Sequence, residues 1–466
     1  MKLNPELLFE KSLDVKNHIT DKMRQAAKDM PYTSFLNVGG KLIPCGSIYY
    51  LKISDTSFCP TITMDIIKTA VNGSIDNTRE IVPGTVISFL ISDGVGLLET
   101  VFSADSVRDD GDYLTISGNL RVPDMFRKCS VSLPGKSAEA LACMAQQMGT
   151  GFCSNIELSD TNDAMIWVNG HNSTADFCQY ISSHAYKDET SFFEAFISID
   201  HNLYFIEYNR LFDKYAFKDD INNSFKINKL PTAQFEKVNN KNSKDAKNEE
   251  LIKSSPYMLT NLNSASGWNN YIDRYTLENN PQDSVSSGDR VVVEYYDRVG
   301  DKFVSEFADV LIDHKKGMVP LNRGLIIDGQ KEFEGIYDSL TFPMLDTDNH
   351  HKNFYWAQAF NELNLKSVRR SGICCEMSLN TYIKRGTAIW VEIYSSRTRT
   401  TDQSESGEAS SVEAVSDNMI LDYTKTSFYI VDGIDYIVDN GRLKQYVHLI
   451  RRSMIPGHDS NVSIET

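Results

Sequence analysis

The chain has 466 residues, of which 41% are hydrophobic, 24% charged and 11% aromatic. That is ordinary globular usage and too aromatic for a disordered chain. Its 47 basic and 63 acidic residues give a formal charge of −16, which argues against general binding to nucleic acid or anionic membranes, since both need basic surface. No apolar run approaches the ~20 residues of a membrane helix, and Met1-Lys2-Leu3-Asn4-Pro5-Glu6 lacks the apolar stretch of a signal peptide.

The eight cysteines (Cys45, Cys59, Cys129, Cys143, Cys153, Cys178, Cys374 and Cys375) form no CxxC pair and lie in apolar segments. This is the pattern of buried free thiols in a protein folded in a reducing cytosol.

In chain order, Leu7, Leu8, Leu13, Val15, Ile19 and Met23 keep helical spacing, so residues 5–30 read as a helix within an N-terminal arm, 1–32. Segments 33–38, 47–54, 60–69 and 84–92 are rich in Ile, Val, Phe, Tyr and Thr and punctuated by Gly39-Gly40, Ser54-Asp55 and Pro83-Gly84. They read as strands, joined by two more at 97–107 and 113–122 across Asp109-Asp110-Gly111-Asp112, a hairpin turn. Residues 33–130 are thus a first β-barrel, completed by about 213–235. Residues 131–212 read as an α/β insert, with helices from Ser137 to Met148, capped by Ser137, and from Ser173 to Tyr186. Strands 191–199 and 203–208 follow.

The polar, charged stretch 236–256 reads as an exposed linker. A second barrel, 257–455, holds strands at 290–296, 302–312, 372–378, 387–394, 427–438 and 442–452. It is interrupted by an insertion over about 317–371 with a helix at 351–366, capped by Asp348 or Asn349. The Ser/Glu-rich segment 396–418 reads as a mobile loop, and 456–466 as a tail. The two strand-rich halves end alike. Gly84-Thr85 and Gly386-Thr387 open equivalent strands. Asp105, Asp109, Gly111 and Arg121 match Asp435, Asp439, Gly441 and Arg451 at a constant offset of 330, so the halves read as a duplication.

Catalytic chemistry is not found. Pro134-Gly135-Lys136-Ser137 resembles the end of a phosphate loop but has Ser130 where its first glycine belongs, and reads as a helix cap. Gly94-Val95-Gly96 reaches Glu99 where the dinucleotide fingerprint needs glycine. Asp346-Thr347-Asp348-Asn349-His350-His351 has His351 and Ala357 where a calcium loop needs Gly and Glu. Cys153 with His171 and Cys178 with His184 are the possible nucleophile–base pairs, and chance proximity in sequence accounts for them. No catalytic, cofactor-binding or metal-binding residue is assigned. Arg369-Arg370 and Arg451-Arg452 read as surface or interface charges facing acidic neighbours.

This organisation resembles the tail hub proteins of contractile-tailed bacteriophages, which include the baseplate hub of T-even phages, the phage late-control protein D and the N-terminal part of type VI secretion spike proteins. The stretches that carry the resemblance are Phe58-Cys59-Pro60-Thr61-Ile62-Thr63-Met64-Asp65-Ile66-Ile67 and Asp176-Phe177 running into Tyr186-Lys187-Asp188-Glu189-Thr190-Ser191-Phe192-Phe193, then Ile199-Asp200 and Leu203-Tyr204-Phe205. Tyr429-Ile430-Val431-Asp432-Gly433-Ile434-Asp435-Tyr436 with Gln445-Tyr446-Val447-His448-Leu449-Ile450-Arg451-Arg452 completes them.

The resemblance implies a mainly β fold with an α/β insert and two tandem tube-like β-barrels. It also implies a homotrimer whose six barrels adapt a sixfold tail tube to a threefold spike around the DNA passage. Such a chain is a structural protein of the virion tail baseplate, made in the host cytoplasm, without a cofactor. Its partners are itself, the tail tube protein, the central spike protein, other baseplate proteins and passing DNA bound without specificity, with no membrane insertion. A peptidoglycan-active tail-tip hydrolase and a β-rich carbohydrate-binding adhesin are the rival readings.

Overall fold

The computed structural model describes residues 18–68, 81–215, 258–261, 271–279, 290–309, 319–320, 338–342, 344–345, 349–369, 371–396, 419–422, 425–439, 441–451 and 453–454. The expected linker 236–256, the barrel-completing stretch beyond Tyr215, nearly all of 396–418 and the tail 456–466 lie outside them. All eight cysteines are free thiols.

Of the expected helix 5–30, residues 5–17 lie outside the described residues, and the rest is broken at Ile19-Thr20. Helix α1 (Asp21–Asp29) starts afresh at Thr20, whose backbone is extended and whose hydroxyl accepts the Met23 amide at 3.4 Å. Ile19, just before the cap, is buried with Ala27, Leu90 and Val101.

The first half holds β1 (Phe35–Val38), β2 (Lys41–Ile43), β3 (Ile48–Asp55), β4 (Thr61–Ile67), β5 (Val86–Ser92), β6 (Leu97–Asp109) and β7 (Tyr113–Leu120). The strands lie in the order β3-β4-β7-β6-β5-β1-β2, every pair antiparallel. Alternation sets the core: Leu51, Ile53, Ile62, Met64 and Ile66 are buried, and so is Asp55, which takes an inward position on β3.

The insert follows as β8 (Lys128–Gly135), α2 (Ser137–Met148), β9 (Gly151–Ser154), β10 (Met165–Ser173), α3 (Thr174–Ser183), β11 (Phe193–Ile197), β12 (Asn202–Glu207) and α4 (Tyr208–Tyr215). β8 and β10 form a two-stranded antiparallel sheet, and β11-β12-β9 a three-stranded one in which β12 and β9 are parallel. The cap of α2 is Lys136, one residue before the expected Ser137: the Lys136 amide donates to Glu139 Oε2 and the Ser137 amide to Asp163 Oδ1. Gly149, at φ +68°, ends that helix.

The second half comprises β13 (Met258–Thr260), β14 (Ile272–Asn279), β15 (Arg290–Asp297), β16 (Lys302–Asp309), β17 (Val319–Pro320), β18 (Asp338–Thr341), α5 (Phe354–Arg369), β19 (Ser371–Met377), β20 (Ala388–Glu392), β21 (Tyr394–Ser396), β22 (Met419–Leu421), β23 (Ser427–Asp439), β24 (Arg442–Ile450) and β25 (Ser453–Met454). β15, β16 and β18 form a sheet of their own, and α5 begins at Phe354 rather than at residue 351. The remaining long strands run β14-β19-β24-β23, with β20 on β23 and β13 on β20.

The two halves share one thirteen-stranded sheet. β23 is long enough to serve two neighbours on the same side. Residues 427–430 pair with β20, and residues 434–439 pair antiparallel with β3, from Ile434 opposite Asp55 to Asp439 opposite Tyr50.

The halves also repeat one another. β5-β6-β7 and β20-β23-β24 have the same order, and the same hydrogen bonds open each unit. Gly84 donates to the Ala104 carbonyl at 2.7 Å and Ala104 donates back to Thr85 at 2.9 Å. Gly386 donates to Val431 at 2.8 Å and Val431 donates back to Thr387 at 2.9 Å. A β-bulge follows at once in both, at Asp105 and at Asp432. The equivalence extends across four strands: Ala104, Gly118, Ile62 and Ile53 form a row in the first half, matched by Val431, Leu449, Ile373 and Leu277 in the second.

This shifts the register expected from the sequence. Ala104 falls on Val431, an offset of 327 rather than 330, because β23 pairs seven residues with β24 between bulge and turn (433–439) where β6 pairs four with β7 (106–109).

Candidate functional site

Two constructions stand out where the parts of the chain meet: a buried ionic junction and a pair of strand edges.

The junction draws on all three parts. Asp55 comes from the end of β3, Glu194 from β11, Tyr208 from the start of α4, Arg369 from the end of α5, Arg385 from the loop before β20, and Asp432 from the bulge of β23. Arg369 grips Asp432 with a fork, Nε to Oδ2 at 2.8 Å and Nη2 to Oδ1 at 2.7 Å, and Nη2 also reaches Glu194 at 2.7 Å. Tyr208 donates to the same Glu194 oxygen at 2.7 Å. Burial alone would raise the Glu194 carboxyl, but the guanidiniums of Arg369 and Arg385 outweigh it and hold it below the ordinary carboxylate range.

Arg385 is 2% exposed. Its Nη1 donates to the Ser57 carbonyl, its Nη2 lies 3.3 Å from Glu194, and its guanidinium sits 3.9 Å from the centre of the Phe196 ring. Asp55 is fully buried. Its Oδ2 accepts from the Ser198 hydroxyl at 2.6 Å and the Ile199 amide at 3.1 Å, while Oδ1 has no hydrogen-bond partner among the described residues and lies 3.9 Å from Arg385 Nη1. Burial pushes its carboxyl up to about 6 against the attraction of Arg385.

The seam between halves carries a second cluster. Asp435 accepts from Ser54 at 2.5 Å and pairs with Lys52 at 2.8 Å and His448 at 3.5 Å. Burial opposes its charge, yet His448, Lys52 and Ser54 hold its carboxyl down to about 2.

The edges are the other construction. β14 has a strand neighbour only on its β19 side among the described residues, and Leu277 on it is 53% exposed. Ile53, its equivalent in the first half, is fully buried beside Tyr436 of β23. On β6, residues 105–109 extend past the end of β5 and have no second strand beside them among the described residues. The matching stretch of β23 is the one that β3 covers.

The sequence candidates fare as follows. No hydrogen bond joins Cys153 to His171 or Cys178 to His184 among the described residues. Burial raises the Cys153 and Cys178 thiols, which is the opposite of an activated nucleophile. His184 is held down to about 4 by burial and its Nδ1 donates to the Tyr180 carbonyl at 2.8 Å. His351 is buried, with Nε2 donating to the His184 carbonyl at 2.9 Å, while residues 346–348 lie outside the described residues. Among the described residues no group of three or more His, Cys, Asp and Glu is placed to hold a metal ion.

Of the paired arginines, Arg370 and Arg452 lie outside the described residues. Arg369 is partly exposed and Arg451 is buried. Arg369 finds its acidic neighbours within the chain, and Arg451 is 5% exposed, its guanidinium 5.1 Å from the centre of the Tyr429 ring. Sequence reasoning did not single out Asp55, Glu194 or Arg385. Asp55 was the most findable, as an acid at an inward position of an alternating strand.

No protein-family model matches the chain, and no curated protein does. Among solved structures it is similar to the tail protein from Neisseria meningitidis MC58, with 11% identity over 90% of this chain and 96% of that one and a TM-score of 0.49. It is also similar to the 43 kDa tail protein of prophage MuSo2 from Shewanella oneidensis (8% identity, 90% and 97% covered, TM-score 0.46). A third is the prophage tail protein gp18 from Listeria monocytogenes EGD-e (7% identity, 90% and 95% covered, TM-score 0.39). Its structural neighbours as a group are phage tail and baseplate proteins and components of type VI secretion complexes.

Proposed function

We propose that this chain is the structural hub of a phage tail baseplate. In this reading three copies close a ring that adapts a sixfold tail tube to a threefold central spike and lines the DNA passage. One observation carries it. Two repeated β-units in one chain are already joined by laying β3 of the first along the open part of β23 of the second. The first unit has the same open stretch on β6, and the second has on β14 the equivalent of β3, with no strand on the side away from β19 among the described residues. Laying β14 of one copy on β6 of the next repeats the internal seam between chains. Three chains of two units supply six tube-like modules.

The partners that follow are other copies of the chain, the tail tube protein, the spike and further baseplate proteins, in the virion tail. The role is non-enzymatic and involves neither a cofactor nor membrane insertion. The acidic balance of −16 per chain suits a passage that DNA must cross without sticking. Native mass measurement on the purified chain tests the reading. A species of three times 52.7 kDa is expected, and a stable monomer or dimer within assembled tails overturns it. Release of fragments from purified cell wall by the chain alone would favour the hydrolase instead.

A further inference from the structure

We propose that Asp55 is a proton-operated latch at the three-way junction, closed when its carboxyl is neutral and loosened when it ionises. The inference concerns contacts within one chain and stands whether or not the chain is a tail hub.

The geometry sets an imbalance of charge. The junction holds three carboxylates, Asp55, Glu194 and Asp432, against two guanidiniums, Arg369 and Arg385. Arg369 is committed to Asp432 and Glu194. Arg385 is committed to Glu194 and the Ser57 carbonyl and approaches Asp55 no nearer than 3.9 Å. An ionised Asp55 is therefore left with two neutral donors, Ser198 and Ile199, on one oxygen and no hydrogen-bond partner among the described residues on the other. A neutral carboxyl leaves two negative charges against two positive ones.

The other groups around Asp55 do not relieve its charge. Asp200, in the turn between β11 and β12, adds a like charge and is itself engaged by Tyr204 and Lys384. Cys59, from the turn between β3 and β4, and Tyr436, from β23, face it as neutral groups whose own protons burial holds more firmly. A buried charge with so little compensation favours its neutral form, and the resulting upward shift to about 6 puts the change within reach of mild acidification.

The contact joins separate parts. Asp55 belongs to the first half, Ser198 and Ile199 to the insert, and Arg385 to the second half. The closed junction binds a proton that an opened, solvated Asp55 gives up. Closure is therefore strongest below the ordinary carboxylate range, weakens as pH rises from about 4 to about 6, and levels off above that.

The test is amide hydrogen exchange at Ile199, the residue that donates to Asp55, in the full-length chain. With intrinsic exchange rates divided out, protection is expected to fall roughly a hundredfold between pH 4 and pH 7.5, two pH units of linkage. Asp55→Asn should make protection nearly independent of pH while amides in β7 stay as in the parent. Ser198→Ala, which removes a donor that favours the ionised form, should raise the Asp55 carboxyl further and extend the fall to higher pH. Unchanged Ile199 protection across this range in the parent chain overturns the proposal, whatever the variants do.

Discussion

Asp105 and Asp432 are the bulged residues of two strands that hold the same place in the two halves of the sheet. Their surroundings have diverged. Asp105 is exposed and accepts from Asn119, its neighbour across the hairpin, whereas Asp432 accepts a guanidinium fork from Arg369. A bulge re-aims one side chain out of the alternation. In the first half it points to solvent, and in the second it supplies the acid that ties α5 to the sheet. The repeated backbone is thus independent of the side chain it presents.

If the glycines before the bulges are equivalent, they should fail equivalently. Gly84 and Gly386 lie at φ +91° and +78°, where a side chain strains the backbone by about 1–2 kcal/mol. Gly84→Ala meets open space and should lose no more than that. Gly386→Ala also brings its Cβ to 2.5 Å from Ile206 Cδ1, the movable end of a side chain, and should lose slightly more. Urea unfolding of both variants measures the difference.

Much of the β framework was legible in the sequence for local reasons. Strands β3, β4 and β7 alternate, the hairpin turns carry Asp and Gly, and Gly-Thr marks β5 and β20. The hairpin β8–β10 was not, because KCSVSLPG alternates with serines in place of strong apolar residues and its partner lies some thirty residues on. The seam between β3 and β23 was also hidden. It joins residues some 380 apart, and no local pattern specifies which edge a strand will choose. The ionic junction shares that cause: its members carry ordinary surface residue types, and only the packing of three distant segments buries them.

Gly118 tests the row that relates the halves. A Cβ there would lie 2.2 Å from the Ser103 carbonyl oxygen, backbone held by the β6–β7 pairing. Gly118→Ala should cost about 2–3 kcal/mol, the range of overpacking without relief. Gly111→Ala in the same hairpin has open space at φ +79° and should cost about 1 kcal/mol. Equal thermal shifts for the two would contradict the close approach.

Asp435 predicts an acid limb. Its carboxyl is held down to about 2, so the seam gains stability that is present at neutral pH and is lost as pH falls below about 4 toward 2. Because the group is only partly shielded, about 1–2 kcal/mol is expected rather than the full linkage value. Asp435→Asn should lose that much at pH 7 and little at pH 2, read from denaturant midpoints at both. This limb lies below the Asp55 transition and has the opposite sign, so one pH series separates them.

Leu277 decides whether the open edge of β14 is an interface. Its equivalent, Ile53, is fully buried because β23 lies alongside, whereas Leu277 is half exposed on a strand with no outer neighbour among the described residues. If β6 of the next copy covers this edge, Leu277 becomes buried in the ring as Ile53 is within the chain. A lysine there would then bring a charge into the seam, a device that blocks strand addition at sheet edges. In the isolated chain the same lysine stays in solvent and should change stability by less than about 0.5 kcal/mol. Leu277→Lys is therefore expected to leave the thermal midpoint of the monomer unchanged while shifting the native mass from three copies to one. Leu42→Lys, at a site 58% exposed on β2, serves as the control and should leave three copies intact. If Leu277→Lys still assembles fully, the ring is not built on this edge, and the internal seam is not the template for contacts between chains.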